Sequence, residues 1–227
     1  MEIKILPTIT TTWGSDWRAK INELDLLGLK EVAVFPTGIN KVVRDELYSL
    51  LEKTKLSAVP FVHLRSDMLP DEIEYFRERW HTRVFNTHAA GEFPQLADWT
   101  DFKKYIYIEN TRHEWQVEEI TKFAGTCLDY AHLENDRLLK TKAHAKCLAI
   151  LKQFPPGCGH VSAIRAKPYF SETDKEPAYD AHRLVDISEL DYLKRYFPQW
   201  LPPLLAIELE NSLAEQLEVI KHVRSLV

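Results

Sequence analysis

The chain has 227 residues, 34 acidic against 29 basic side chains, and hence a formal charge of −5, with 45% apolar and 28% charged residues. That is the usage of an ordinary globular protein with one core; it excludes low complexity, collagen-like repeats and a broad basic surface for nucleic acid. No apolar run reaches the length of a membrane span. Met1-Glu2-Ile3-Lys4 does not read as a secretion signal, and three cysteines, Cys127, Cys147 and Cys158, without metal-type spacing suit buried thiols in a reducing cytoplasm.

In chain order, short runs rich in β-branched and aromatic residues predict strands at Ile3–Ile9, Glu31–Phe35, Ala58–His63, Val84–His88, Tyr105–Glu109, Thr126–Asp129, His160–Ile164 and Leu204–Glu208. Helical spacing predicts amphipathic segments between them. Val43, Leu47, Leu50 and Leu51 share one face, as do Ile73, Phe76 and Trp80, then Leu139, Ala143, Cys147 and Ile150, and last Leu213, Leu217, Ile220 and Leu226. Pro70 marks a helix start, Asp186 stands three residues before Glu189, and Ser212 stands three before Glu215 in capping-box spacing. Only a short helix fits between His88 and Tyr105. The charged stretch Glu72–Arg79 reads as an exposed helix face. Gly157-Cys158-Gly159 reads as the lead-in to the seventh strand, and Arg165 to Asp186 as a long polar connection, either a lid-like loop or a disordered excursion.

Alternating strands and helices predict one α/β domain over residues 1–227, a short (β/α)8 barrel. Its active site would gather at the C-terminal strand ends, and these carry metal-ligand side chains. The third strand ends at His63, the fourth at His88, the fifth at Glu109 and the sixth at Asp129, with His132 just beyond. The seventh begins with His160 and the eighth ends at Glu208; Asp180 and His182 lie two apart in the long loop. Asp, Glu and His together are 34 + 9 = 43 of 227 residues, about one position in five, so such a succession exceeds chance. Imidazoles mixed with carboxylates suit zinc, or manganese or iron, better than magnesium or calcium. His81, His113, His144 and His222 are assigned to surface or hydrogen-bonded roles. Trp13 could flank a substrate, and Arg65, Arg112, Arg165 and Lys167 could meet phosphate. No GxxxxGK[ST] or GxSxG occurs, so phosphate-cradling loops and serine hydrolases drop out.

Four segments carry a family resemblance: Ile108-Glu109-Asn110-Thr111, Asp129-Tyr130-Ala131-His132, Asp180-Ala181-His182 and Ile207-Glu208-Leu209-Glu210-Asn211. With them the chain resembles the xylose-isomerase-like superfamily of TIM barrels, its ligand set being most like endonuclease IV and the family-2 AP endonucleases. The resemblance implies up to three metals: one on His63, His88 and Glu109; a second on Glu109, Asp129, His160 and Glu208; a third on His132, Asp180 and His182. It implies phosphoester hydrolysis, since Glu109 would bridge two neighbouring cations. His160 is followed by Val161 and Ser162 where the family pattern has an acidic or amide residue. The sugar and sugar-phosphate isomerases and epimerases of the superfamily offer an alternative. There one ion would sit on Glu109, Asp129, His160 and Glu208, the two glutamates would act as the acid/base pair, and His132 would touch substrate. A barrel serving only as a binding module is a third expectation. A small phosphorylated or sugar substrate suits the acidic, short-looped chain better than duplex DNA.

Overall fold

The computed structural model describes residues 3–111, 114–172 and 175–227. Eight parallel strands close into a barrel: β1 (Lys4–Thr10), β2 (Glu31–Phe35), β3 (Ala58–His63), β4 (Val84–His88), β5 (Ile106–Glu109), β6 (Gly125–Asp129), β7 (Pro156–Val161) and β10 (Leu204–Ile207). They follow one another around the barrel in chain order, and β10 pairs with β1 to close it. Helices α1 (Trp17–Leu26), α2 (Lys41–Leu51), α3 (Pro70–Arg79), α4 (Val117–Ile120), α5 (Tyr130–Leu138), α6 (Lys142–Leu151), α7 (Phe197–Trp200) and α8 (Leu213–Ser225) lie between strands. A 3-10 helix at Thr100–Tyr105 fills the short interval before β5. The fold is therefore a (β/α)8 TIM barrel.

Local signals account for many boundaries. Asp16 and Asn40 cap α1 and α2 through their side chains, and Pro70 opens α3 where its missing N–H costs nothing. Ser212 and Glu215 form the reciprocal capping box of α8. Inside the barrel, Leu6, Ala33, Phe35, Phe61, Cys127, Cys158, Leu204 and Ala206 form the core. All three cysteines are free and buried.

Four expectations are corrected. First, the segment from Leu139 to Ile150 is not one helix: α5 stops at Leu138, Lys140 takes a left-handed φ of 59°, and α6 restarts at Lys142. Second, β7 begins at Pro156, so His160 lies near its C-terminal end rather than at its start. The Gly-Cys-Gly run belongs to the strand because close neighbours demand glycine there. A Cβ on Gly157 would stand 2.2 Å from the Tyr107 ring, and one on Gly159 would stand 2.7 Å from the Leu128 carbonyl oxygen. Third, the stretch Glu72–Arg79 is not wholly exposed. Glu72 is buried and accepts hydrogen bonds from two of the three guanidinium nitrogens of the fully buried Arg44, at 2.9 and 3.1 Å, which ties α3 to α2.

Fourth, the long connection after β7 is an antiparallel hairpin, β8 (Ala163–Ser171) with β9 (Glu176–Ala181), followed by a 3-10 helix at Ile187–Arg195. A lone hairpin is marginal in water. This one is held to the barrel by Asn135, which accepts the Tyr179 N–H at 2.8 Å, by the Arg165–Glu189 ion pair at 2.6 Å, and by buried Ala178. Its register breaks between Ile164 and Tyr169, which re-aims the outer arm. Among the described residues no helix is long and apolar enough to cross a membrane.

Candidate metal centre

Parallel barrel strands aim alternate side chains inward and end at one face, so residues at their C-terminal ends converge. His63, His88, Glu109, Asp129, His160 and Glu208 arrive on β3 to β7 and just beyond β10. Asp129 also caps α5: its carboxylate accepts the His132 N–H at 2.9 Å, which places His132 one turn above it. The hairpin delivers Asp180 and His182. Its end is fixed by Glu210, whose N–H donates to the His182 carbonyl at 2.6 Å, and by Asn211, which holds both backbone groups of Leu184.

Glu109, 1% exposed, lies at the centre. One carboxylate oxygen is 2.8 Å from His63 Nε2 and 3.1 Å from His160 Nε2, and the other is 3.5 Å from His88 Nε2. The opposite ring nitrogen of His160, Nδ1, stands 2.9 Å from Glu208 and 3.4 Å from Asp129. His132 faces Asp180 at 3.1 Å and Asp129 at 3.5 Å, and His182 lies 3.8 Å from Glu208. Three sets, His63–Glu109–His160, Glu109–Asp129–His132 and Asp129–His160–Glu208, each bring potential ligand atoms within 4.8 Å of one another. Because these sets share Glu109, Asp129 and His160, cations held by them would be neighbours. Phe35 packs edge-on against His63 and His160 at 5.5 and 5.4 Å, an apolar floor that fixes both rings.

The electrostatics demand positive charge. Burial by itself would raise the Glu109 carboxyl, yet the neighbouring His160, His88 and His63 rings outweigh it and hold the group well below its usual range. Burial likewise opposes the low position of Glu208, which His160 and His182 bring down to about 2. For Asp129 burial wins and the carboxyl is raised. Burial would lower His88, His132 and His160, and the surrounding carboxylates raise all three instead.

The donor set fits metal ions. His160 is completely buried, and both ring nitrogens face carboxylate oxygens without an aligned hydrogen bond. Carboxylate oxygens on both sides of the ring call for positive charge among these groups: a protonated His160 supplies it, and a metal ion in place of that proton would supply it equally. The nine predicted ligands comprise four carboxylates and five imidazoles, the mixture that zinc accepts. No protein-family model matches the chain, and no curated protein does.

A cavity of about 280 Å³ opens above the cluster; His63, His88, Glu109, His132, Asp180, His182 and Glu208 line it, while Asp129 and His160 lie beneath. The other expected residues are distributed differently. Trp13 is fully exposed on the loop after β1 and stays outside the cavity wall, although Thr12 beside it lines the cavity. Arg65 borders a side lobe and is engaged by Asp67 at 3.0 Å. Arg165 is occupied by Glu189 and by the Arg183 carbonyl, and Lys167 is exposed in the irregular part of β8. Arg112 and His113 lie outside the described residues, as do Thr173 and Asp174 of the expected loop. His81 is exposed, and His222 bonds Asp191 at 3.1 Å.

Several lining and supporting groups escape a search for ligand types. Asn86 donates to Glu109 and orients its carboxylate, and Asn110 exchanges two hydrogen bonds with the Asp129 backbone at 2.7 and 2.9 Å. Thr37, Glu92, Phe93, Tyr169 and Ser171 complete the wall. Asn86 was accessible from sequence, since it precedes His88 by two residues and so shares its inward face.

Proposed function

We propose that the protein is a metal-dependent phosphoester hydrolase of the xylose-isomerase-like, endonuclease IV-like type, with zinc as its preferred ion. The observation that carries this proposal is the position of Glu109 between His63 and His160, with His160 turned to Asp129 and Glu208 on its other side. Overlapping ligand sets favour adjacent ions, and adjacent ions suit phosphoester hydrolysis because attacking and leaving oxygens both develop charge. Bound divalent ions supply Lewis acidity and lower the pKa of water.

The chain's own groups do the positioning. Ionised Glu109, Asp129, Asp180 and Glu208 contribute four negative charges, and the five imidazoles act as neutral ligands. With three dications the sum is −4 + 6 = +2, which a phosphate dianion balances. Asn86 holds the Glu109 carboxylate, the Phe35 ring fixes His63 and His160, and His132 stands at the cavity wall where a phosphate oxygen can reach it. A small phosphorylated substrate suits this mouth better than duplex DNA, because Arg65 and Arg165 are already paired with carboxylates.

A second reading, the sugar or sugar-phosphate isomerase with one ion on Glu109, Asp129, His160 and Glu208, draws support from Asp129, His160 and Glu208 forming a set by themselves. It leaves His63, His88, Asp180 and His182 without a role. The test is protein purified without chelator, assayed for metal content and for hydrolysis of a phosphoester panel. The proposal expects at least two ions per chain, loss of hydrolysis on chelation and recovery with zinc. Zinc-loaded protein inert on every phosphoester would overturn it.

A further inference from the structure

Beside the metal cluster, a lobe of about 140 Å³ branches from the main cavity, and His63 and His88 stand where the two join. Its wall is formed by Thr37, Leu64, Arg65, Ser66, Thr87 and Phe93. None of these is placed among the metal ligands. The volume is close to that of the apolar cavity of about 150 Å³ known to accept one benzene molecule. That is room for a single six-membered ring.

The wall also sets the chemical character of the occupant. Leu64 and Phe93 offer apolar surface, and Thr37, Ser66 and Thr87 offer hydroxyls. Apart from the two histidines at the junction, the one charged side chain is Arg65, whose Nε is 3.0 Å from Asp67 and whose terminal nitrogen donates to the Thr37 carbonyl at 3.0 Å. Asp67 also pairs with Arg44, and together Asp67 and Glu72 balance the charges of Arg44 and Arg65, so Arg65 forms a side of the lobe within a neutral cluster.

We propose that this lobe is the leaving-group subsite, holding one uncharged ring esterified to the phosphate at the metal cluster. The inference rests on the hydrolase proposed above. In that reaction a water oxygen bonds to phosphorus and the bond from phosphorus to the ring oxygen breaks. The ring oxygen keeps the electron pair and receives a proton, the water having released one, so the products are phosphate and a hydroxylated ring.

The test uses zinc-loaded protein titrated calorimetrically with methylphosphonate, phenylphosphonate and 1-naphthylphosphonate, whose P–C bonds are not hydrolysed. Phenylphosphonate should bind about tenfold more tightly than methylphosphonate, with no further gain for the naphthyl compound. Ser66→Leu, which fills the lobe, should cancel the phenyl gain at unchanged zinc content. If Ser66→Leu does not fold, Thr37→Leu, at another lining position, carries the same expectation. Equal binding of methyl- and phenylphosphonate, a gain that survives the filled lobe, or a further gain for naphthyl overturns the subsite and leaves the hydrolase standing. Failure of all three phosphonates to bind zinc-loaded protein overturns both.

Discussion

Replacing Glu109 by glutamine keeps the side-chain shape but removes one charge and one anionic oxygen at the point where His63, His88 and His160 meet. A unit charge about 4 Å from another is worth about 4 kcal/mol at an effective dielectric constant near 20, and about twice that against a dication, so the loss is at least roughly a thousandfold in affinity for each adjacent ion. At a free zinc concentration about a hundredfold above the wild-type dissociation constant, each ion contributes about 2.7 kcal/mol of stability. For a chain of this size that is on the order of 5–10 °C in melting temperature per ion. A thousandfold loss removes that increment. Thermal melts with and without zinc should therefore show a large zinc-dependent rise for the wild type and almost none for Glu109→Gln, with zinc content down by more than one ion per chain. The metal-free melting temperatures should stay close, because the apolar core of Leu6, Phe35, Phe61 and Ala206 lies beneath the site. A Glu109→Gln protein with full zinc content and a full zinc-dependent shift would refute the assignment of Glu109 as the bridge.

Other consequences are open to measurement. His63→Ala should abolish phosphoester hydrolysis, whereas a one-ion isomerase would keep its turnover. Lys20 is buried with its ammonium 2.6 Å from the Leu209 carbonyl, and burial, partly offset by nearby glutamates, lowers its pKa to about 8 from 10.5. Its folded pKa lies below the unfolded one, so the unfolded chain binds more protons between these values and stability rises across that window. Denaturant unfolding at pH 7.5 and 10 should show Lys20→Met lacking roughly 2 kcal/mol of this rise relative to wild type, and equal pH slopes would contradict the burial argument. Gly157→Ala should destabilise by about 1–3 kcal/mol through contact with the Tyr107 ring, and Tyr107→Leu in the same chain should recover most of it; an unchanged melting temperature for the single variant would argue against that contact. Arg44→Ala should cost about 3–5 kcal/mol by leaving buried Glu72 without its counter-ion, with only the Tyr48 hydroxyl and the Leu69 N–H still donating to it, which chemical denaturation measures directly.

The barrel was legible because its signals are local. Seven of the eight barrel strands start and end within one residue of the apolar runs that predict them, and Ser212 with Glu215 closes its capping box as the spacing requires. Misreadings occurred where a distant contact decides the conformation. Gly157 and Gly159 read as the lead-in to a strand, but the Tyr107 ring and the Leu128 carbonyl make them residues of the strand itself. Glu72 looks like surface charge until Arg44 arrives from the preceding helix. The hairpin after β7 is invisible to periodicity because its outer arm is exposed and its register breaks at Ile164. For the metal centre the ligand types could be read from strand ends, as His63, His88 and Glu109 illustrate. Among the supporting groups Asn86 is in step with His88, but the others were not legible: Asn110 reaches the Asp129 backbone only once β5 and β6 lie side by side, and the partners of Arg65 and Arg165 come from loops and helix starts that no strand pattern indicates.

The central claim is a centre of adjacent ions bridged by Glu109, and anomalous diffraction from zinc-loaded crystals tests it most directly. Two or three anomalous peaks within about 5 Å of one another, in keeping with the few-ångström separation of multinuclear hydrolytic sites, should surround the Glu109 carboxylate. A single peak among Glu109, Asp129, His160 and Glu208 would contradict that claim and favour the one-ion isomerase.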